Sequence, residues 1–238
     1  IQKGWVQKRK IYNEQPQSFS GYMLNMREWP FDDKNVRMAF CYGVNRKELF
    51  DKIFFNQYEY IDSYYPGGRW GNPKNRKIRY NPRRAARFLD SAGYTKRNAN
   101  GIRVHEKTGK ELSFTLEFGS ASGTRIHQVI AEGLKEIGIE MKLELMDYNA
   151  LMKKVSERQF KLHSQAWRGI LFPNPLTGWH SDLANEPYNN NLTGFASAEV
   201  DTLMEEYDRT FDVNEQTRIM QKIDSLIFKE YPVSLGWY

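Results

Sequence analysis

LSFTLEFGSASGTRIHQVIAEGLKEIGIEMKLELMD, residues 112–147, changes its hydrophobic period twice. Leu112, Phe114, Leu116 and Phe118 alternate on one face, which reads as a strand. Ile126, Val129, Ile130, Leu134 and Ile137 then share a helical face that Gly138 stops, and IEMKLELMD (139–147) alternates again. YNALMKKVSERQF (148–160) is helical and LHSQAW (162–167) is a further short strand. Strand, helix, strand, helix, strand predicts an α/β fold with right-handed crossovers onto a parallel sheet. Ligands in such folds sit at the carboxyl ends of strands, and the third strand ends at Trp167. GSASG (119–123) has neither the G-K-[ST] ending nor the G-x-G-x-x-G spacing of a phosphate loop. It reads as a strand-to-helix turn with Ser or Thr capping.

Upstream, PFDDKNVRMAFCYGVNRKELF (30–50) starts two helices in succession. Asp33 caps the first, with Val36, Phe40 and Gly43 on one face, and Asn45 with Glu48 forms a capping box for the second. The inward face of the second helix is Leu49, Ile53 and Phe54. After the loop YYPGGRWGNP (64–73), Asn81-Pro82 opens a helix that Gly93 ends. Downstream of Trp167 lies a polar, aromatic, Pro-bearing stretch (168–195), then two helices, the second opened by Asp212 and Glu215. Internal repeats and low-complexity tracts are absent.

The 238 residues suffice for one large domain or two small ones, and 40% hydrophobic residues argue for a packed core. A lone cysteine, Cys41, excludes an intrachain disulfide. Apolar runs fall short of a transmembrane helix. The net charge is +6 and the pI about 9.2, but Lys and Arg are interspersed with Asp and Glu. The densest basic stretches, 74–79 and 81–87, are short, so a solvated surface is favoured over a nucleic-acid footprint. His105, His127, His163 and His180 carry no metal-ligand spacing, and no G-x-S-x-G elbow surrounds any serine. Neither catalysis, a metal nor a cofactor is indicated. The 167–195 segment concentrates Trp167, Arg168, Phe172, Trp179, His180, Tyr188, Phe195 and the run Asn189 to Asn191. That mixture suits a cleft that stacks on apolar ligand parts and hydrogen-bonds polar ones. Composition leaves equally open an ordinary loop pinned to the sheet by its aromatics.

Residues 30–46 resemble the P-F-D-D-x-x-V-R-x-A-x-x-x-x-x-[DN]-R motif of family 5 extracellular solute-binding proteins, the receptors of oligopeptide, dipeptide and nickel ABC importers. GYMLNM (21–26), YNPRRAARFLDSAGY (80–94) and LKEIGIEMKLELMD (134–147) resemble further motifs of that family, in order along essentially the whole chain. The stretch 171–224, with LGWY (235–238), most resembles the YejA-type branch, whose members are peptide receptors. The resemblance implies a periplasmic-binding-protein-like lobe with a mixed, partly parallel sheet flanked by helices. Its function would be to capture oligopeptides or modified peptides in the periplasm, without catalysis, for a membrane permease. Trp167, Arg168, Phe172, Trp179, His180 and Asn190 are the expected cleft residues: aromatics stacking on ligand, Arg168 meeting a carboxylate or phosphate, and Asn190 hydrogen-bonding ligand backbone.

Many oligopeptide receptors of the family place an Asp after the Trp-bearing strand, where it pairs with the ligand's α-amino group. That position falls on Leu171 here, which points to a longer or modified peptide, or to a ligand that is not a peptide. An oligosaccharide receptor of the same family is the alternative, and a basic nucleic-acid-binding module the alternative from another class. The chain is expected to be a C-terminal portion of a receptor that is monomeric when intact. In that division residues 1–30 are inter-lobe strands, 31–210 the α/β ligand-binding lobe, and 211–238 a return helix and strand. Ile1 to Asn25 and Val233 to Tyr238 should then reach away from the lobe, exposing Trp5, Leu235 and Trp237. Trp70, in the Gly-rich loop, is expected to matter less for binding than Trp179.

Overall fold

Asp33, Asn45, Asn81, Asp147, Ser197 and Asp212 each accept a backbone N–H at the head of a helix, and the helices start where those residues stand. The computed structural model describes residues 4, 5, 7, 9 and 15–237. In chain order these form β1 (Phe19–Leu24), α1 (Lys34–Gly43), α2 (Arg46–Lys52), α3 (Pro82–Ser91), β2 (Lys96–Arg97) and β3 (Arg103–Val104). There follow β4 (Ser113–Phe118), α4 (Thr124–Glu136), β5 (Glu140–Leu145), α5 (Tyr148–Ser156) and β6 (Leu162–Trp167). A short α6 (Leu176–Trp179), then α7 (Ala198–Arg209), α8 (Val213–Glu230) and β7 (Val233–Leu235) complete the order.

The crossover read from residues 112–147 forms as a parallel pair, from Ser113 opposite Glu140 to Phe118 opposite Leu145. The third strand differs from expectation. β6 lies beside β4 but makes its ladder with β1, antiparallel, from Phe19 opposite Trp167 to Leu24 opposite Leu162. β7 takes the other edge of β1, so β1 is a central strand and the α/β architecture is mixed. The terminal strands therefore do not reach away from the lobe. Phe19–Leu24 and Val233–Leu235 are hydrogen-bonded within it, because a central strand with Tyr22, Met23 and Leu24 buried satisfies its backbone groups only when both edges are paired. Leu235 is accordingly only 7% exposed, and Trp237 is half-buried with its ring 4.8 Å from that of Phe54. Trp5 is 84% exposed. Of the inter-lobe strands expected over residues 1–30, the part before residue 15 falls largely outside the described residues.

The break between α1 and α2 is a helix corner that admits α4. Gly43 ends α1, Val44 donates its N–H to the Phe40 carbonyl, and Asn45 restarts the chain by accepting the Glu48 N–H at 3.3 Å. A Cβ at Gly43 would lie 2.6 Å from Ile137 Cδ1 and 3.0 Å from Leu134 Cδ2. Across the crossing, a Cβ at Gly133 would come 3.5 Å from the Gly43 carbonyl. Gly43→Leu is therefore expected to destabilise the fold by about 1–3 kcal/mol through overpacking, read as a lower urea midpoint. An unchanged midpoint would mean that α4 can shift away freely. The two motif arginines are occupied by carbonyl oxygens. Arg37 donates to Phe31, Asp32 and Glu230, and Arg46 to Ile61, Ile78 and Gly236. They tie α1 to the end of α8, and α2 to the 61–78 segment and the chain beyond β7.

Candidate functional site

Trp167 closes β6 opposite Phe19, and the chain beyond it folds back over a cavity of about 330 Å³. Trp167, Arg168, Trp179 and Asn190 line this cavity together. Its other walls come from a distant part of the sequence, Tyr64, Tyr65 and Trp70, and from Phe19 and Met23 of β1. Trp179 stacks at a tilt on Tyr64, with centroids 5.1 Å apart, and edge-on to Phe195 at 5.8 Å. Arg168 is exposed and has no ion-pair partner among the described residues. Thr193, also in the wall, has a buried hydroxyl with no hydrogen-bond partner among the described residues. Among the described residues no Asp or Glu lines the cavity, and Leu171 stands 67% exposed.

Two of the six sequence candidates lie elsewhere. Phe172 faces a neighbouring groove, its ring 5.8 Å from that of Trp70. His180 heads a 3-10 turn, where Nδ1 accepts the Asp182 N–H at 3.2 Å. Its carbonyl oxygen receives Asn191 Nδ2. The asparagine run divides in the same way. Asn189 accepts from Arg158, and Asn191 bridges His180 to Gly194 and Phe195, so Asn190 alone of the three lines the cavity. Trp70, expected to matter less for binding than Trp179, stands beside it in the cavity lining. Trp70 is buried in the same wall and donates its indole N–H to the Leu171 carbonyl at 2.9 Å.

Arg27 holds the segment under the cavity. Its guanidinium donates to the carbonyls of Ala184, Asn191 and Leu192 and to Asn25 Oδ1. Burial, with the Arg158 charge nearby, pulls it down to about 10, so it stays cationic at neutral pH. Gly194 is needed there: its φ is +75°, and a Cβ would lie 2.8 Å from the Arg27 guanidinium. On the opposite face of β1 a second cavity of about 310 Å³ is bounded by Ser20, Tyr22, Gly119, His127 and Ser164. Tyr22 Oη lies 2.7 Å from His127 Nδ1, and burial pushes the imidazole down to about 4, so it is neutral at pH 7.

Residues 3–190 match the family described as bacterial extracellular solute-binding proteins, family 5. The chain belongs to that family. It is 26% identical over 238 residues to the oligopeptide-binding protein AppA of Bacillus subtilis, covering 96% of this chain and 43% of AppA. It is 21% identical over 264 residues to the probable peptide-binding protein YejA of Agrobacterium fabrum, covering 95% and 43%. Among solved structures, AppA in complex with a nonapeptide superposes with a TM-score of 0.84 at 26% identity, over 94% of this chain and 45% of that one. The mannohexaose-bound periplasmic oligopeptide-binding protein of Thermotoga maritima shares the fold, with a TM-score of 0.82 at 22% identity over 94% and 44%. The chain thus spans less than half the length of these relatives. Among the described residues no helix is long and apolar enough to cross a membrane.

Proposed function

We propose that this chain supplies the ligand-binding lobe of an ABC-importer receptor that captures oligopeptides or modified peptides outside the cytoplasmic membrane, in the periplasm, and delivers them to the permease without catalysis. The observation that carries this reading is the cavity after Trp167, walled by Phe19, Tyr64, Trp70 and Trp179, with Arg168 at its margin and without an ion-pair partner among the described residues. A volume of about 330 Å³ lies at the small end of ligand pockets and suits one or two ligand side chains. Arg168 can meet a ligand carboxylate or phosphate, and Asn190 and the Thr193 hydroxyl supply hydrogen bonds. With no acid among the described wall residues, a free α-amino group finds no counter-charge from them. An oligosaccharide is the second reading, because the same aromatic and amide wall serves sugar rings and a protein of this fold is described with mannohexaose. Family membership gives no support to a nucleic-acid module.

Native mass spectrometry of the full-length protein from its host, to identify what co-purifies, separates peptide from sugar. Calorimetry with that ligand then tests the wall. Trp179→Ala should weaken binding by about 1–3 kcal/mol, the scale of one lost aromatic anchor. Phe211→Ala is the matching control, since Phe211 is 92% exposed and outside the cavity. Equal affinity for wild type and Trp179→Ala would remove this cavity from the binding site.

A further inference from the structure

One acid in α8 is buried with no cation beside it. Asp224 is shielded from solvent and makes no ion pair among the described residues. Its carboxylate instead gathers donors from the 63–75 loop. Oδ1 accepts the Tyr64 N–H at 2.9 Å, and Oδ2 accepts the Asn72 N–H at 2.8 Å and Asn75 Nδ2 at 2.7 Å. Asn72 is also tied to α8 through the Gln221 carbonyl at 3.2 Å. The loop held in this way carries Tyr64, Tyr65 and Trp70, which form one wall of the cavity.

We infer that Asp224 is a positioning residue for the cavity: its ionised carboxylate fixes the Tyr64–Trp70 wall, and its protonation releases that wall. A carboxylate accepts the converging donors through charge-assisted hydrogen bonds, whereas a carboxylic acid loses that charge and gives one lone-pair position to its own O–H, so its hold on the loop weakens. Burial raises the Asp224 carboxyl from the ordinary 3.8 to about 6, although its hydrogen bonds oppose the shift. The titratable groups facing it are Tyr64 and Tyr65, whose hydroxyls burial pushes upward, so neither ionises near pH 6. The ion pair on the same segment, Arg79 with Asp62, closes on itself at 2.6 Å. The sign separates this release from acid unfolding. A carboxyl raised in the fold contributes stability that is full below about pH 4 and lost as pH rises through about 6. Acidification therefore loosens the wall while this group makes the fold no less stable.

This inference rests on the cavity being the ligand site, but its test needs no ligand, so the two can fail separately. The full-length protein is labelled with 5-fluorotryptophan and titrated from pH 7.5 to 5 by 19F NMR, with Trp70 assigned through Trp70→Phe. The Trp70 resonance should shift with a midpoint near pH 6 in the wild type, and Asp224→Asn should abolish that titration. Should Asp224→Asn fail to fold, Asn75→Ala removes one donor to the carboxylate and should move the wild-type midpoint upward. A Trp70 resonance flat between pH 7.5 and 5 in the wild type, one that titrates equally in Asp224→Asn, or a midpoint unmoved by Asn75→Ala would overturn the proposal.

Discussion

Alanine in place of Phe40 should lower the unfolding free energy by about 3–5 kcal/mol, the range for deleting a fully buried aromatic ring. Phe40 is entirely shielded and joins elements distant in sequence. Its ring meets Phe31 edge-on at 5.7 Å, Tyr22 of β1 at 6.0 Å and Phe114 of β4 at 6.2 Å. Phe31 also contacts Phe114 at 4.9 Å. Truncation removes ring contacts from three neighbours at once, and β1 and β4 belong to different ladders that cannot both collapse into the void. Urea unfolding followed by circular dichroism measures the loss. A drop of less than about 1.5 kcal/mol would show that the site closes over the cavity, as a well-packed core does not.

Phe40 was legible because its role is local in origin: it lies on the helical face set by Asp33, and periodicity reports such faces directly. The caps at Asn45, Asn81 and Asp212 were legible for the same reason, each being decided within four residues. The neighbour of β6 was not. LHSQAW alternates identically whether it extends the β4–β5 pair or zips to Phe19–Leu24, and the choice is made by a contact between segments far apart in the sequence. At 119–123 the strand-to-helix turn forms as read, but its Ser or Thr capping does not. No side chain caps α4, and Ser120 and Ser122 bond each other at 2.8 Å instead.

The candidate site divides along the same line. Composition drew attention to 167–195, and four of its six candidates line one cavity. It could not distinguish Asn190 from Asn189 and Asn191, since the same amide serves a ligand or a loop carbonyl equally well. Nor could it assign His180 to a turn. Tyr64, Tyr65 and Trp70 were missed as wall residues because their loop is brought to the cavity by Asp224, whose burial no sequence period announces.

His127 should steepen the loss of stability in acid by about 3 kcal/mol between pH 7 and pH 4. The ring packs edge-on against Phe118 at 4.9 Å and Tyr22 at 5.8 Å, with Nδ1 against the Tyr22 hydroxyl and no acid in hydrogen-bond contact. Burial disfavours its cation and brings the folded-state value from 6.5 down to about 4. Between those values the unfolded chain holds a proton that the folded chain does not, so stability falls with pH, fully present above about 6.5 and lost by about 4. A difference of roughly 2.5 pKa units corresponds to about 3 kcal/mol. His163, also pulled down by burial, acts in the same direction, while Asp224 acts in the opposite one between about pH 4 and 6. The wild-type curve alone therefore understates or masks the effect of His127. The difference against His127→Gln isolates it, because glutamine can accept the Tyr22 hydroxyl hydrogen but does not titrate. Urea unfolding of both proteins at pH 7, 6, 5 and 4 should give curves that separate progressively, the variant's being flatter. Parallel curves would mean that water reaches the imidazole and lets it protonate in place.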